Sequence, residues 1–276
     1  MKYFSLEKWI FAIIVFLLPI GVFFSARDPL ARALWEKFGD AEKARVLVWR
    51  DTDLLMQLGN YYFGGGIIGR SEHAPEKAER LYKKVVARNL QTPWGHYQLA
   101  RIYFIEGDFE NALKEIHQEL EIYPTNFRSL YVRGLIYGYR GREDDLVNAE
   151  EDFKKFIEWS PSEWAGYNDL VWILGKREKY EEMERIVISA FENIPIAKEN
   201  NPWLWNSLGV AELNLQKYEE AHRSFRRAHE LLEKLPLETW RNAYPGNSPD
   251  DVKAGRAQFQ KAIEENIIKA KEFINS

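Results

Sequence analysis

The chain has 276 residues, is 46% hydrophobic and 29% charged, and carries a formal net charge of -4. That composition suits a protein with a sizeable buried interior and excludes a disordered tail; with no long run of one sign, bulk electrostatics point to no nucleic acid and no acidic lipid surface. The absence of cysteine removes disulfides, thiolate metal sites and a cysteine nucleophile together.

In chain order, the first element is the run Trp9 to Phe24, WIFAIIVFLLPIGVFF, uncharged between Lys8 and Arg27. With Ser25 and Ala26 it approaches the roughly 20 apolar residues that cross a bilayer. The expectation is therefore a single N-terminal transmembrane helix, with residues 1–26 a signal anchor, residues 9–26 meeting the membrane and Pro19 kinking the span. A cleaved leader shares this order of segments, but the bulky Phe24 makes a poor cleavage site, which favours an uncleaved, single-pass anchor. Basic residues lie on both sides, Lys2 and Lys8 before the run and Arg27, Arg32 and Lys37 after it. Orientation then rests on likeness to a secretory leader, which puts the rest of the chain outside the cytoplasm. Residues 27–51 read as a stalk or capping segment of one or two short helices, with Leu34, Trp35 and Phe38 at helical spacing.

From Thr52 to Leu235 a motif of about 34 residues returns five times. Ala78 to Ala112, Tyr103 to Tyr137, Ala149 to Met183 and Pro161 to Pro195 are each separated by 34 positions. The clearest unit runs from Pro93 to Asn126. Leu99, Ala100 and Tyr103 form one helical face, Gly107-Asp108 a turn, and Phe109, Ala112 and Ile116 the face of a second helix. The small Ala100 and Ala112 let the two helices approach closely while Tyr103 and Phe109 fill the space beside them.

These residues resemble the tetratricopeptide repeat (TPR) family. Trp205, Leu208, Gly209, Ala221, Phe225 and Ala228 match its pattern best, in the unit Pro202 to Leu235, although Glu212 stands where the family prefers Tyr. Gly134, Tyr137, Ala149, Phe153 and Pro161 carry the third unit, where three extra residues near Gly141 to Asp145 are expected to lengthen the turn. In the fourth, Trp164 to Ala197, Val171 and Met183 replace small residues, so looser helix contact is expected. The first carries Leu58, Gly59, Tyr62, Ala78 and Tyr82 around an insertion holding Gly64, Gly65, Gly66 and Gly69. The resemblance implies an all-α fold, an α-solenoid of stacked antiparallel helix pairs (a TPR superhelix), over residues 52–235.

Residues 236–276 read as a linker with a break at Pro245-Gly246-Asn247, then one long helix from Pro249 to Ile274 that Ser248 can cap. Its stripe Val252, Phe259, Ile263, Ile267 and Ala270 suits a terminal cap over an open stack, with a partner-docking helix as the alternative.

Chemistry finds little support along the chain. The string from Gly64 to Ser71 lacks the Gly-Lys-Ser/Thr ending of a phosphate loop and follows no strand. His222 and His229 share a helix face without a third ligand, and no nucleophile has an evident base. The expectation is a chain that is not an enzyme, with no cofactor and no metal.

The TPR resemblance also implies a concave groove lined by first helices. Counting the family's groove positions from each unit's start gives Trp94, Tyr97, Arg101 and Phe104, then Tyr131 and Tyr139, then Asn168 and Trp172, then Trp203, Asn206 and Asn214. Aromatic and Arg side chains anchor interfaces because they cover much area at low entropic cost, yet they also serve as packing between helices. No first helix carries the Lys-Asn pair with which family members clamp a terminal carboxylate. The function expected is a membrane-anchored, non-catalytic scaffold for a protein or peptide partner, in assembly of a membrane or envelope complex. The alternatives are an accessory or recruitment subunit of a polysaccharide- or lipid-modifying enzyme, favoured by acids converging with His96 or His117, and a homo-oligomeric scaffold.

Overall fold

The computed structural model describes residues 24–64, 72–243 and 249–276. Most of the expected anchor (residues 9–23), the glycines Gly65, Gly66 and Gly69, and the break Pro245 to Ser248 lie outside the described residues. Among the described residues, no helix is long and apolar enough to cross a membrane.

The chain divides into two compact units, Met1–Gly95 and His96–Ser276. In the first, helix α1 covers residues 24–38, followed by α2 (Ala41–Leu47), α3 (Thr52–Tyr62) and α4 (Pro75–Arg88). Asp40 and Asp51 start α2 and α3 by accepting the otherwise unpaired amides of Lys43 and Leu54. Trp35 is buried while Phe38, expected on the same face, is 75% exposed. In the α3–α4 pair a Cβ placed on Gly59 would meet the Tyr82 ring at 2.4 Å, so only glycine lets these helices close.

The second unit starts one residue into α5 (Gly95–Ile105) and continues through α6 (Phe109–Ile122), α7 (Phe127–Arg140), α8 (Glu143–Trp159), α9 (Trp164–Lys176) and α10 (Tyr180–Asn193). Then come the short α11 (Pro195–Asn200), α12 (Pro202–Asn214), α13 (Tyr218–Lys234), the short α14 (Leu237–Asn242) and the long α15 (Pro249–Ile274). Pairs α7–α8, α9–α10 and α12–α13 pack on themselves, α8 packs on α9, α10 on α12, and the first helices α7, α9 and α12 touch in succession. At Gly209 a Cβ would meet Phe225 at 2.6 Å, repeating the close approach of the first pair.

Each turn within a pair needs a residue in the left-handed region. Gly107 and Gly141 supply it in two pairs, whereas Glu178 (φ 55) and Gln216 (φ 62) bear it in the next two. The extra residues of the third unit do not lengthen its turn. Gly141 closes α7, α8 begins at Glu143 and runs for 17 residues against 14 in α6, so the added length is helix. Glu143, Asp144 and Asp145 in the first turn of α8 favour this by facing the positive end of the helix. Contact between α9 and α10 is less extensive than between α7 and α8 or α12 and α13, as expected of Val171 and Met183, which are 0% and 3% exposed within a continuous core that includes Tyr167, Leu174, Val187 and Leu204. The larger apolar pair is thus fully buried.

Beyond the repeats, α15 packs on α13 and buries Val252, Ile263 and Ala270, with Phe259 and Ile267 partly covered. The six-residue α14 delivers Trp240, 2% exposed, whose indole N–H donates to the Val252 carbonyl at 2.8 Å.

Candidate functional site: an aromatic row on the first helices

Three consecutive first helices of the second unit each contribute one ring to a row. Phe104 on α5 meets Tyr139 on α7 edge-on at 5.3 Å, and Tyr139 meets Trp172 on α9 at 4.9 Å. Such spacings are those of favourable aromatic pairs. Tyr139 is nevertheless 58% exposed. Gly138 makes the geometry possible, because a Cβ there would meet the Trp172 ring at 2.5 Å. Lys176 also contacts Trp172, its ammonium 4.6 Å from the ring centre and donating to the Gly138 carbonyl.

Beside the row lies a polar corner. The Tyr131 phenol on α7 donates to Asp169 Oδ2 on α9 at 2.5 Å, and the Asn168 amide donates to Asp169 Oδ1 at 3.1 Å. Burial lifts the Asp169 carboxyl to about 6 against the opposing pull of these two donors. Burial, with the Asp169 charge second, pushes the Tyr131 phenol well above its ordinary range, and the same two causes act on the Tyr139 phenol. Asp169 is not among the positions counted from the repeat. It sits one place after Asn168, and its visible signal is an acid between aromatics on a first helix.

The other sequence-derived positions distribute unevenly. Tyr97 and Arg101 share a face of α5, with the Arg101 guanidinium 5.7 Å from the Tyr97 ring and donating to Gln98. Trp94, in the N-terminal unit, precedes α5 in left-handed backbone (φ 70) and is 40% exposed. Asn206 on α12 keeps a buried Oδ1 without a donor. Asn214 is exposed and turns its amide back onto the Val210 carbonyl. Trp203 is a packing residue: 7% exposed, it stacks between Trp164 at 4.8 Å and Trp240 at 5.1 Å.

His96 is buried against a single carboxylate, Glu115, and His117 meets the Tyr137 phenol, so neither histidine gathers an acid pair. Among the described residues no group of three His, Cys, Asp or Glu is placed to hold a metal ion. Glu212, standing where the repeat pattern favours Tyr, is buried and accepts from the Ser224 hydroxyl at 2.6 Å.

A tetratricopeptide repeat protein from Parabacteroides merdae superposes on the chain with a TM-score of 0.57 at 17% identity, covering 91% of this chain and 93% of that one. The chain has the tetratricopeptide repeat fold. MamA from Desulfovibrio magneticus RS-1 superposes with a TM-score of 0.56 at 17% identity, over 66% of this chain and 96% of its own. YrrB, described as a TPR protein with an unusual peptide-binding site, gives 0.51 at 13% identity over 66% and 87%. No protein-family model matches the chain. In sequence, 101 residues are 32% identical to the chloroplastic protein SLOW GREEN 1 of Arabidopsis thaliana, and 68 residues are 29% identical to the photosystem I assembly protein Ycf3 of Acaryochloris marina. The matches cover 37% and 25% of this chain but only 29% and 41% of those relatives.

Proposed function

We propose that the chain is a non-catalytic scaffold that holds an extended segment of a partner protein along its first helices. The observation that carries this reading is the row Phe104, Tyr139 and Trp172, in which the central ring stays 58% exposed although three helices converge to place it. Stacking surfaces with amide and phenol groups beside them suit a peptide backbone and its side chains. The described peptide-binding site of YrrB and the assembly role in the name of Ycf3 support the same kind of work for this chain.

The scaffold is tethered, on this reading, by residues 9–26 as a single-pass anchor, with the repeats outside the cytoplasm and the partner part of a membrane or envelope complex. Supporting the tether, α1 adjoins the apolar run and displays Leu30 and Phe38, 51% and 75% exposed, two turns apart. The test is crosslinked recovery of partners from native membranes with Tyr139→Ala and Trp172→Ala variants, combined with protease accessibility on the same preparation. Loss of the partner with an unchanged circular dichroism melt supports the groove. Recovery equal to wild type removes it, and digestion of the repeats only from the cytoplasmic side removes the orientation.

A further inference from the structure

The aromatic row borders an acid that has no cation partner among the described residues. Three buried acids of this unit are neutralised by basic side chains: Asp152 by Arg133, Asp145 by Arg140, and Glu150 by Lys154, Lys179 and Arg177. Among the described residues, Asp169 has the Tyr131 phenol and the Asn168 amide as its hydrogen-bond partners. Glu212 resembles it in lacking an ion-pair partner but is sealed against α13 at 8% exposure, whereas Asp169 keeps contact with solvent. An ionised carboxylate offers about four acceptor positions. Two are filled here, which leaves room for a further donor.

The walls of this corner suit a cation. Asp169 and Trp172 are neighbours on one face of α9, three residues apart, and Trp172 touches Tyr139. Ring faces attract ammonium and guanidinium groups, and Lys176 already shows this over Trp172 from within the chain. The Tyr131 O–H and Asn168 amide fix the carboxylate, so an incoming donor meets an oriented acceptor.

We propose that Asp169, with Tyr131, Asn168 and the Tyr139 and Trp172 rings beside it, receives one basic side chain, a lysine or arginine, of the peptide bound along the first helices. This rests on the groove reading and adds its polarity, opposite to that of a clamp for carboxylates. Because burial penalises the ionised Asp169, an arriving cation removes a cost that the empty site carries.

The test is a bead library of twelve-residue peptides randomised over Leu, Tyr, Asn, Gly, Glu, Lys and the neutral lysine isostere norleucine, screened with the full chain. Wild type should enrich lysine over norleucine at one position by about tenfold, the size of effect a charge-assisted contact with partial solvent access gives. Asp169→Asn, which preserves size and an acceptor, should abolish that preference, while Ile188→Ala, at an exposed position on α10, should retain it. Equal enrichment of lysine and norleucine, or a lysine preference that survives Asp169→Asn, overturns the inference and leaves the groove standing. No peptide enriched at all overturns both.

Discussion

Two aromatic clusters of the second unit are built from the same residue types on first helices, yet they end in different states. Phe104, Tyr139 and Trp172 form a row whose centre is 58% exposed. Trp164 and Trp203 begin a stack that Trp240 and Phe259 complete, with Trp203 reduced to 7% exposure. The difference lies in their cover. Helices α14 and α15, elements outside the repeat, close over the second cluster, while no described helix beyond the repeats covers the first. An aromatic at a groove position is therefore an anchor or a packing residue according to its cover, not its place in the period.

The contrast breaks first at its covered end. Trp203→Ala should cost about 3–5 kcal/mol in urea unfolding, the usual range for removing a buried tryptophan. Tyr139→Ala should cost less than about 1 kcal/mol, as for an exposed site, while partner recovery is lost. Similar melts for the two variants would erase the distinction. A second effect is smaller: Gly209→Ala pushes a methyl to within 2.6 Å of the fully buried Phe225 and should cost about 1–3 kcal/mol by overpacking.

Acids sharpen the contrast by pH. Burial disfavours the Glu150 charge, but Lys154 and Lys179 outweigh it and hold the carboxyl at about 2. Its folded value lies below its unfolded one, so its stabilisation is present above about 4.5 and fades as pH falls toward 2. Asp169 runs the other way. With its folded value raised to about 6, its contribution is full below the unfolded value near 4 and is lost as pH rises through 6. Asp169→Asn should flatten that loss, on the order of 1 kcal/mol after allowing for solvent contact, in urea midpoints taken from pH 4 to 8. An unchanged pH profile in the variant would remove Asp169 as its source. The smallest effect is at a turn, where Gln216→Gly should relieve the left-handed backbone and raise stability by up to about 1 kcal/mol in the same assay. A lowered midpoint would show that the Gln216 side chain outweighs the strain.

The repeat core is legible in the sequence because each contact recurs at fixed spacing: Gly59 against Tyr82, Gly134 against Phe153 and Gly209 against Phe225 are one small-to-large fit seen three times. The stripe of α15 is legible from its helical period, and it is the face turned toward α13. Features that periodicity does not encode escape. Trp240 reads as linker because a six-residue helix leaves too little pattern to recognise. Trp203 occupies a groove position, and only the covering elements reveal it as core. The length added in the third unit reads as turn because the sequence there is polar, whereas those charges open a helix. Asp169 stands one place from a counted position, and its meaning depends on Tyr131, 38 residues earlier.

The most direct measurement is site-specific photocrosslinking in the native cell, with a benzophenone amino acid placed at Tyr139 or, as control, at Ile188 on α10. These positions are 58% and 46% exposed, so accessibility does not separate them. A scaffold that binds along its first helices should yield a discrete crosslinked partner from position 139 and none from 188. The same product from both positions, or from 188 alone, would contradict it.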